Sequence, residues 1–165
     1  MKTLVVHESM WGNSRAIAEA IAAGIPGEVE TVDVSEAPLR LEEVDLLVVG
    51  GPTHAFSMSR ASTRRDAVTK GAPPGHERRG IREWLDAVDS DGPLTVATFD
   101  TRVSLGRIPG SASRSAARLA RRRRIGTVVA TQSFYVEDLA GPLVDGELDR
   151  AREWGAALPA ISHVG

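Results

Sequence analysis

A chain of 165 residues with a net charge of −2 is sized for one domain with a single core able to stand alone. So small a charge gives no global attraction to nucleic acid or an anionic membrane, and the absence of cysteine excludes disulfides, thiolate catalysis and cysteine-bound metals. No apolar stretch approaches the ~20 residues that cross a bilayer, so the expectation is a cytoplasmic protein with no membrane span.

In chain order, Thr3 to Val6 reads as a first strand, and Ile17, Ala20, Ile21 and Gly24 recur at helical spacing until Pro26-Gly27. Glu28 to Val34 alternates like a strand near a sheet edge. Between Ser35 and Asp45 there is no clear helical period, so a short or missing helix is expected there. Leu46-Leu47-Val48-Val49 is a continuous apolar run, as in a strand covered on both faces. Phe56 to Gly80, rich in arginine, proline and glycine, reads as irregular. Ile81, Trp84, Leu85 and Val88 mark one helix face, closed by Asp91-Gly92-Pro93. Leu94 to Phe99 is a fourth strand, Val103 to Gly110 a second irregular stretch, and Ser111 to Ala120 a helix. Thr127 to Ala130 begins a fifth strand that can extend through Phe134-Tyr135-Val136. Leu148, Ala151, Gly155 and Leu158 suggest a closing helix, with Pro159 opening a tail over 159–165 of the single 1–165 domain. Strands alternating with helices predict an α/β doubly wound, five-stranded parallel sheet with helices on both faces.

Such sheets bind ligands outside the carboxyl ends of their strands, which here means residues 8–14, 51–59 and 99–110. The first segment has the features of an anion cradle. Gly12 lets the backbone approach, Ser9, Asn13 and Ser14 supply donors, and the following helix turns free N–H groups toward the loop. Simple capping of the helix by Asn13 or Ser14 is the other reading. GxxxxGK[ST] and GxGxxG are both absent, so neither triphosphate hydrolysis nor the usual dinucleotide turn is supported.

Strand, [ST]-x-[ST]-G-x-[ST], helix is the phosphate loop of flavodoxins, and Ser9-Met10-Trp11-Gly12-Asn13-Ser14 is similar to it. Trp11 departs from the hydroxyl residue usual in the family. It could shield the ribityl-phosphate or pack against a neighbour. Gly50-Gly51-Pro52-Thr53-His54-Ala55-Phe56-Ser57-Met58 resembles, with one residue inserted, the loop that covers one flavin face in flavodoxin-like quinone reductases; a plain turn with Phe56 in the core is the alternative. The resemblance, which extends over most of the chain to actinobacterial flavodoxin-domain proteins, implies FMN as cofactor. It implies a ring flanked by Pro52, Thr53, His54, Ala55 and Phe56 on one side and Phe99, Asp100, Thr101 and Arg102 on the other. Phe99 could stack, Asp100 could accept from flavin N3–H or cap a helix, and Arg102 could face a ring carbonyl. His54 is the candidate catalytic group, since an imidazole ordinarily titrates near working pH; no metal ligands are assigned.

Arg121 to Arg124 reads as a solvated helix end suited to the helix dipole, with no interleaved aromatics for nucleic acid. Ser59 to Arg65 could cover the flavin, bind an anionic substrate or nicotinamide phosphate, or be mobile. The expected function is that of an FMN-binding redox protein carrying out electron or hydride transfer. It would be either a carrier or an NAD(P)H oxidoreductase, with a redox partner protein, NAD(P)H or a small quinone-like acceptor as partner. The alternative is a binding module of the same fold without FMN.

Overall fold

The structure, a computed structural model, describes residues 1–104 and 109–162. In chain order the elements are β1 (Lys2–His7), α1 (Asn13–Gly24), β2 (Glu28–Asp33), β3 (Arg40–Leu41), β4 (Leu46–His54), β5 (Ser57–Met58) and α2 (Ala61–Thr69). They continue with α3 (Ile81–Ala87), β6 (Asp89–Ser90), β7 (Thr95–Val103), α4 (Ala112–Arg123), β8 (Thr127–Val136) and α5 (Glu147–Ser162). Five strands run parallel in the order β2-β1-β4-β7-β8, with the expected edge strand β2 outermost. The hairpin strand β5 pairs antiparallel with the end of β4, and β3 and β6 form a separate two-residue ladder.

The period of two along the central strands divides their side chains between two cores. Val5, Val48, Ala97 and Phe99 meet Ile17 and Ile21 of α1 and Ala151 and Leu158 of α5. Leu4, Val6, Leu47, Val49 and Val96 meet Trp84 and Leu85 of α3 and Leu119 and Ala120 of α4. Both faces are covered, which is why Leu46 to Val49 carries no polar residue. On the first face α1 and α5 nearly touch: a Cβ built on Gly155 would lie 2.1 Å from the Ile21 carbonyl oxygen, and one on Gly24 would lie 2.0 Å from that of Arg152. Gly155→Ala is therefore expected to cost about 1–3 kcal/mol by forcing the helices apart, read as a lower urea midpoint.

Several boundaries differ from the sequence reading. The strand pattern turns polar after Val49 and Phe99, yet β4 and β7 remain paired as far as Pro52↔Thr101. Gly51 to His54 and Phe99 to Arg102 are thus strand rather than loop, because backbone pairing outlasts the apolar core. The 56–80 stretch contains a helix, α2, whose buried residues are Arg64 and Ala67; with a buried arginine there is no apolar stripe to read. Segment 35–45 has no helix, as expected. The tail does not begin at Pro159, because α5 continues through it to Ser162, anchored by buried Leu158. Pro159 sits in the last turn, where only one backbone hydrogen bond is forfeited. Residues 105–108 of the second irregular stretch and 163–165 of the tail lie outside the described residues.

Candidate functional site

The ends of β1, β4, β7 and β8 surround a hollow of about 40 Å³ lined by Ser9, Met10, Trp11, Asn13 and Ser14 from the first loop, with Pro52, Thr53 and His54 facing them. Thr101, Arg102, Val103, Val136 and Leu139 complete the wall. That volume exceeds the roughly 10–15 Å³ needed by one water. Gly12 adopts the left-handed conformation (φ +95°) just before α1, a turn that suits glycine. Its N–H donates to Ser9 Oγ at 3.0 Å. Ser14 Oγ and Thr101 Oγ1 are 2.6 Å apart, joining the start of α1 to the end of β7.

The two helix starts at this end of the sheet differ. Among the described residues, no side chain caps the first turn of α1. The start of α4 is closed three times: Thr53 Oγ1 accepts from Ala112 N–H, Asp100 Oδ2 from Ser113 N–H and Ser111 Oγ from Arg114 N–H. An uncapped helix start opening on a hollow is a ready anion site, whereas a capped one is not.

Trp11 does not fill the hollow. Its ring forms one wall, packed with Met10 against Ala67 and Ala72 beside α2. On its far side, a groove of about 250 Å³ is lined by Trp11, Thr53, His54, Ala55, Thr63, Asp66, Ala67, Lys70 and Leu139. Hollow and groove share Trp11, Thr53, His54 and Leu139.

One sequence expectation is corrected and two open alternatives are decided. Phe99 is fully buried in the α1/α5 core, its ring filling the space a Cβ on Gly50 would need, so it cannot stack on a ligand. Asp100 faces the opposite side, where it caps α4, leaving Oδ1 buried without a hydrogen-bond partner among the described residues; Thr101 and Arg102, further along β7, line the hollow. Phe56 is not core but 57% exposed. It forms, with Ala55, a two-residue hairpin turn in which both residues have positive φ (45° and 70°). Turns of this kind ordinarily use Asn-Gly, a signal that Ala55-Phe56 lacks.

His54 differs from its expected state as well. It is buried, and burial, aided by the Arg64 guanidinium, pushes its pKa down to about 4, so the imidazole is neutral at working pH and cannot serve as the acid. Thr63 Oγ1 donates to the Arg60 carbonyl and accepts from Arg60 N–H. The His54 Nδ1 contact to it, at 3.1 Å, therefore assigns the proton to Nδ1 and leaves Nε2 a lone pair.

The Flavodoxin domain family matches residues 4–64. Oxidised Flavodoxin 1 from Bacillus cereus superposes with a TM-score of 0.63 at 19% identity, covering 97% of this chain and 98% of that one. Flavodoxin 2 from the same organism gives 0.64 at 16%, covering 97% and 99%. A flavodoxin, WrbA-like protein from Agrobacterium tumefaciens gives 0.54 at 19%, covering 99% and 98%. The chain has a flavodoxin-like fold. No curated protein sequence matches it.

Within this flavodoxin-like frame, sequence reasoning missed Val103, Val136 and Leu139, which line the hollow. The last two flank or belong to the 137–142 loop, which follows the fifth parallel strand. The same rule that singled out the loops after three other strands would have found it. Gly141 of that loop lies against the Asn13 amide, leaving no room for a side chain.

The neutral His54 also predicts a pH dependence. Its folded pKa is about 4 against an ordinary 6.5, so between those values the unfolded chain binds the extra proton and stability falls as pH falls. The loss is on the order of 2–3 kcal/mol across that window. His54→Gln is expected to lack this component, so the wild-type and variant unfolding free energies should converge between pH 6.5 and 4.

Proposed function

We propose that this chain is an FMN-binding redox protein. The observation that carries the reading is the uncapped start of α1 opening on a hollow lined by Ser9, Asn13, Ser14 and Thr101, a donor set suited to a phosphate dianion without any lysine. The match of residues 4–64 to the flavodoxin domain supports it.

The residues present fit the cofactor. Ser9, Gly12, Asn13 and Ser14 would hold its phosphate. Pro52, Thr53, His54 and Ala55 would flank the ring on one side and Thr101 and Arg102 on the other, with Leu139 and Trp11 excluding water. Bound FMN supplies the electron or hydride transfer, and the protein sets its orientation and surroundings. His54 contributes an uncharged hydrogen-bonding edge, its Nε2 accepting from an N–H or O–H rather than donating a proton. The Arg102 cation, at the rim of the hollow, favours added negative charge nearby.

The reading is tested by titrating flavin-free protein into FMN and following flavin fluorescence. Saturable quenching at micromolar concentration supports it. Colourless protein with no quenching rejects it in favour of a module of this fold without FMN. Mixing the loaded protein with NADH or NADPH then separates a reductase, whose flavin bleaches directly, from a carrier that requires a protein partner.

A further inference from the structure

A larger cavity than the hollow at α1 also borders Trp11: a basin of about 560 Å³, within the usual range of small-molecule sites. It is lined by His7, Trp11, Arg15, Asp33, Pro73 and His76, among others. Parallel register sets His7, the last residue of β1, beside Asp33, the last residue of β2. His7 is 5% exposed, and its Nδ1 is buried without a hydrogen-bond partner among the described residues.

Asp33 is half prepared. Its Oδ1 accepts from the Ser35 N–H at 2.9 Å and the Ser35 hydroxyl at 2.7 Å, which fixes the carboxylate. Its Oδ2 lies 3.9 Å from His7 Nδ1 and 3.7 Å from His76 Nδ1, too far for direct hydrogen bonds. Asp33 Oδ2 is thus flanked by two imidazole nitrogens, of which His7 Nδ1 is buried without a partner among the described residues. Burial holds His7 below its ordinary pKa, so its ring is neutral and Nδ1 can give or accept a hydrogen bond. Pro73, Met10 and the Trp11 indole provide the apolar part of the wall.

In dinucleotide-binding sheets a carboxylate about 20 residues beyond the glycine turn receives a ribose hydroxyl while the pyrophosphate sits on the first helix start; that start is assigned here to the flavin phosphate, so only the diol contact carries over. Asp33 holds that place relative to Gly12 although the glycine pattern itself is absent. We propose that the basin binds a ribonucleoside through its vicinal diol. One hydroxyl donates to Asp33 Oδ2, the other engages His7 Nδ1 or His76 Nδ1, and the base lies against Trp11 and Pro73.

Because the basin and the hollow share Ser9, Met10 and Trp11, a ligand seated here reaches the proposed flavin site, and the ligand class is an adenine dinucleotide of the NADH kind. That assignment builds on the FMN reading; diol recognition does not. Asp33, Glu19 and Glu36 line the basin and its one arginine, Arg15, is already paired with Glu19, so a 2′-phosphate beside Asp33 meets like charge. NADPH is expected to bind about tenfold or more weakly than NADH.

The test uses the full chain without flavin, with adenosine, 2′-deoxyadenosine, NADH and NADPH titrated separately and followed by calorimetry. The expected result is that adenosine and NADH bind, with 2′-deoxyadenosine about tenfold weaker through loss of one charge-assisted hydrogen bond. Asp33→Asn and the exposed-site variant His76→Ala should each lower adenosine affinity severalfold, with FMN quenching and melting temperature retained. Adenosine without NADH binding confines the site to free nucleosides and overturns the dinucleotide assignment. Equal binding of adenosine and its 2′-deoxy analogue, unchanged affinity in both variants, or no binding at millimolar adenosine overturns the diol site itself. Because FMN is titrated separately, failure to bind flavin remains distinguishable from failure here.

Discussion

Asn13→Asp is expected to weaken FMN binding by about two to three orders of magnitude while leaving the fold as stable as before or slightly more so. The two side chains have the same shape, and Asn13 is the first residue of α1, lining the hollow. A carboxylate there interacts favourably with the helix dipole, worth roughly 0.3–1 kcal/mol. It also puts a negative charge where the phosphate would sit, and like charges brought together at a binding site cost several kcal/mol. Opposite signs for stability and binding separate an anion site from an ordinary helix start. If the α1 start holds no anion, the variant will raise stability without changing FMN affinity. Denaturation and fluorescence titration on the same preparation read both quantities.

Arg64→Ala is expected to destabilise the protein by about 3–5 kcal/mol, the range for breaking a buried charged network at one member. Arg64 is fully buried on α2. Its Nε donates to the Glu77 carbonyl at 3.0 Å and its Nη1 to Ser59 Oγ at 2.8 Å, while Nη2 pairs with Glu83. Glu8 lies beside this network, its Oε1 accepting from Ile81 N–H at 2.8 Å and its Oε2 without a partner among the described residues. Burial pushes the Glu8 carboxyl up from its ordinary range, with the Arg64 cation opposing that rise. Truncating Arg64 strands the Glu77 carbonyl and leaves Glu8 without its nearby cation, whereas half-exposed Glu83 can turn to water. Gly80 shows how tightly the network is built, since a Cβ there would come within 2.4 Å of both Arg64 Nη1 and Glu8 Oε1. Glu8 directly precedes the first loop, so FMN affinity should fall with stability. A urea midpoint that barely moves would mean the network holds nothing together.

The fold was legible because the five central strands and four of the helices each present an apolar run or stripe, and burial on both sheet faces leaves that imprint. What escaped was held together by polar groups. In α2 the buried residues are Ala67 and Arg64, and the partners of Arg64, Ser59, Glu77 and Glu83, are scattered along the sequence. The site was partly legible for the same reason. Ser9, Gly12 and Ser14 advertise an anion loop through residue type and position. The inward or outward facing of Phe99, Asp100 and Thr101 depends on how far β7 remains paired, which composition does not record. His54 looked like a titrating group because nothing local foretells that α2 will cover it.

The uncapped α1 start as a phosphate cradle is tested most directly by comparing FMN with riboflavin, which differs only in lacking the phosphate. Titrations against flavin-free protein should show FMN binding at least about a hundredfold more tightly, the worth of two charge-assisted hydrogen bonds or more. Riboflavin binding as tightly as FMN, or neither binding at all, would contradict the assignment of that helix start to a charged ligand.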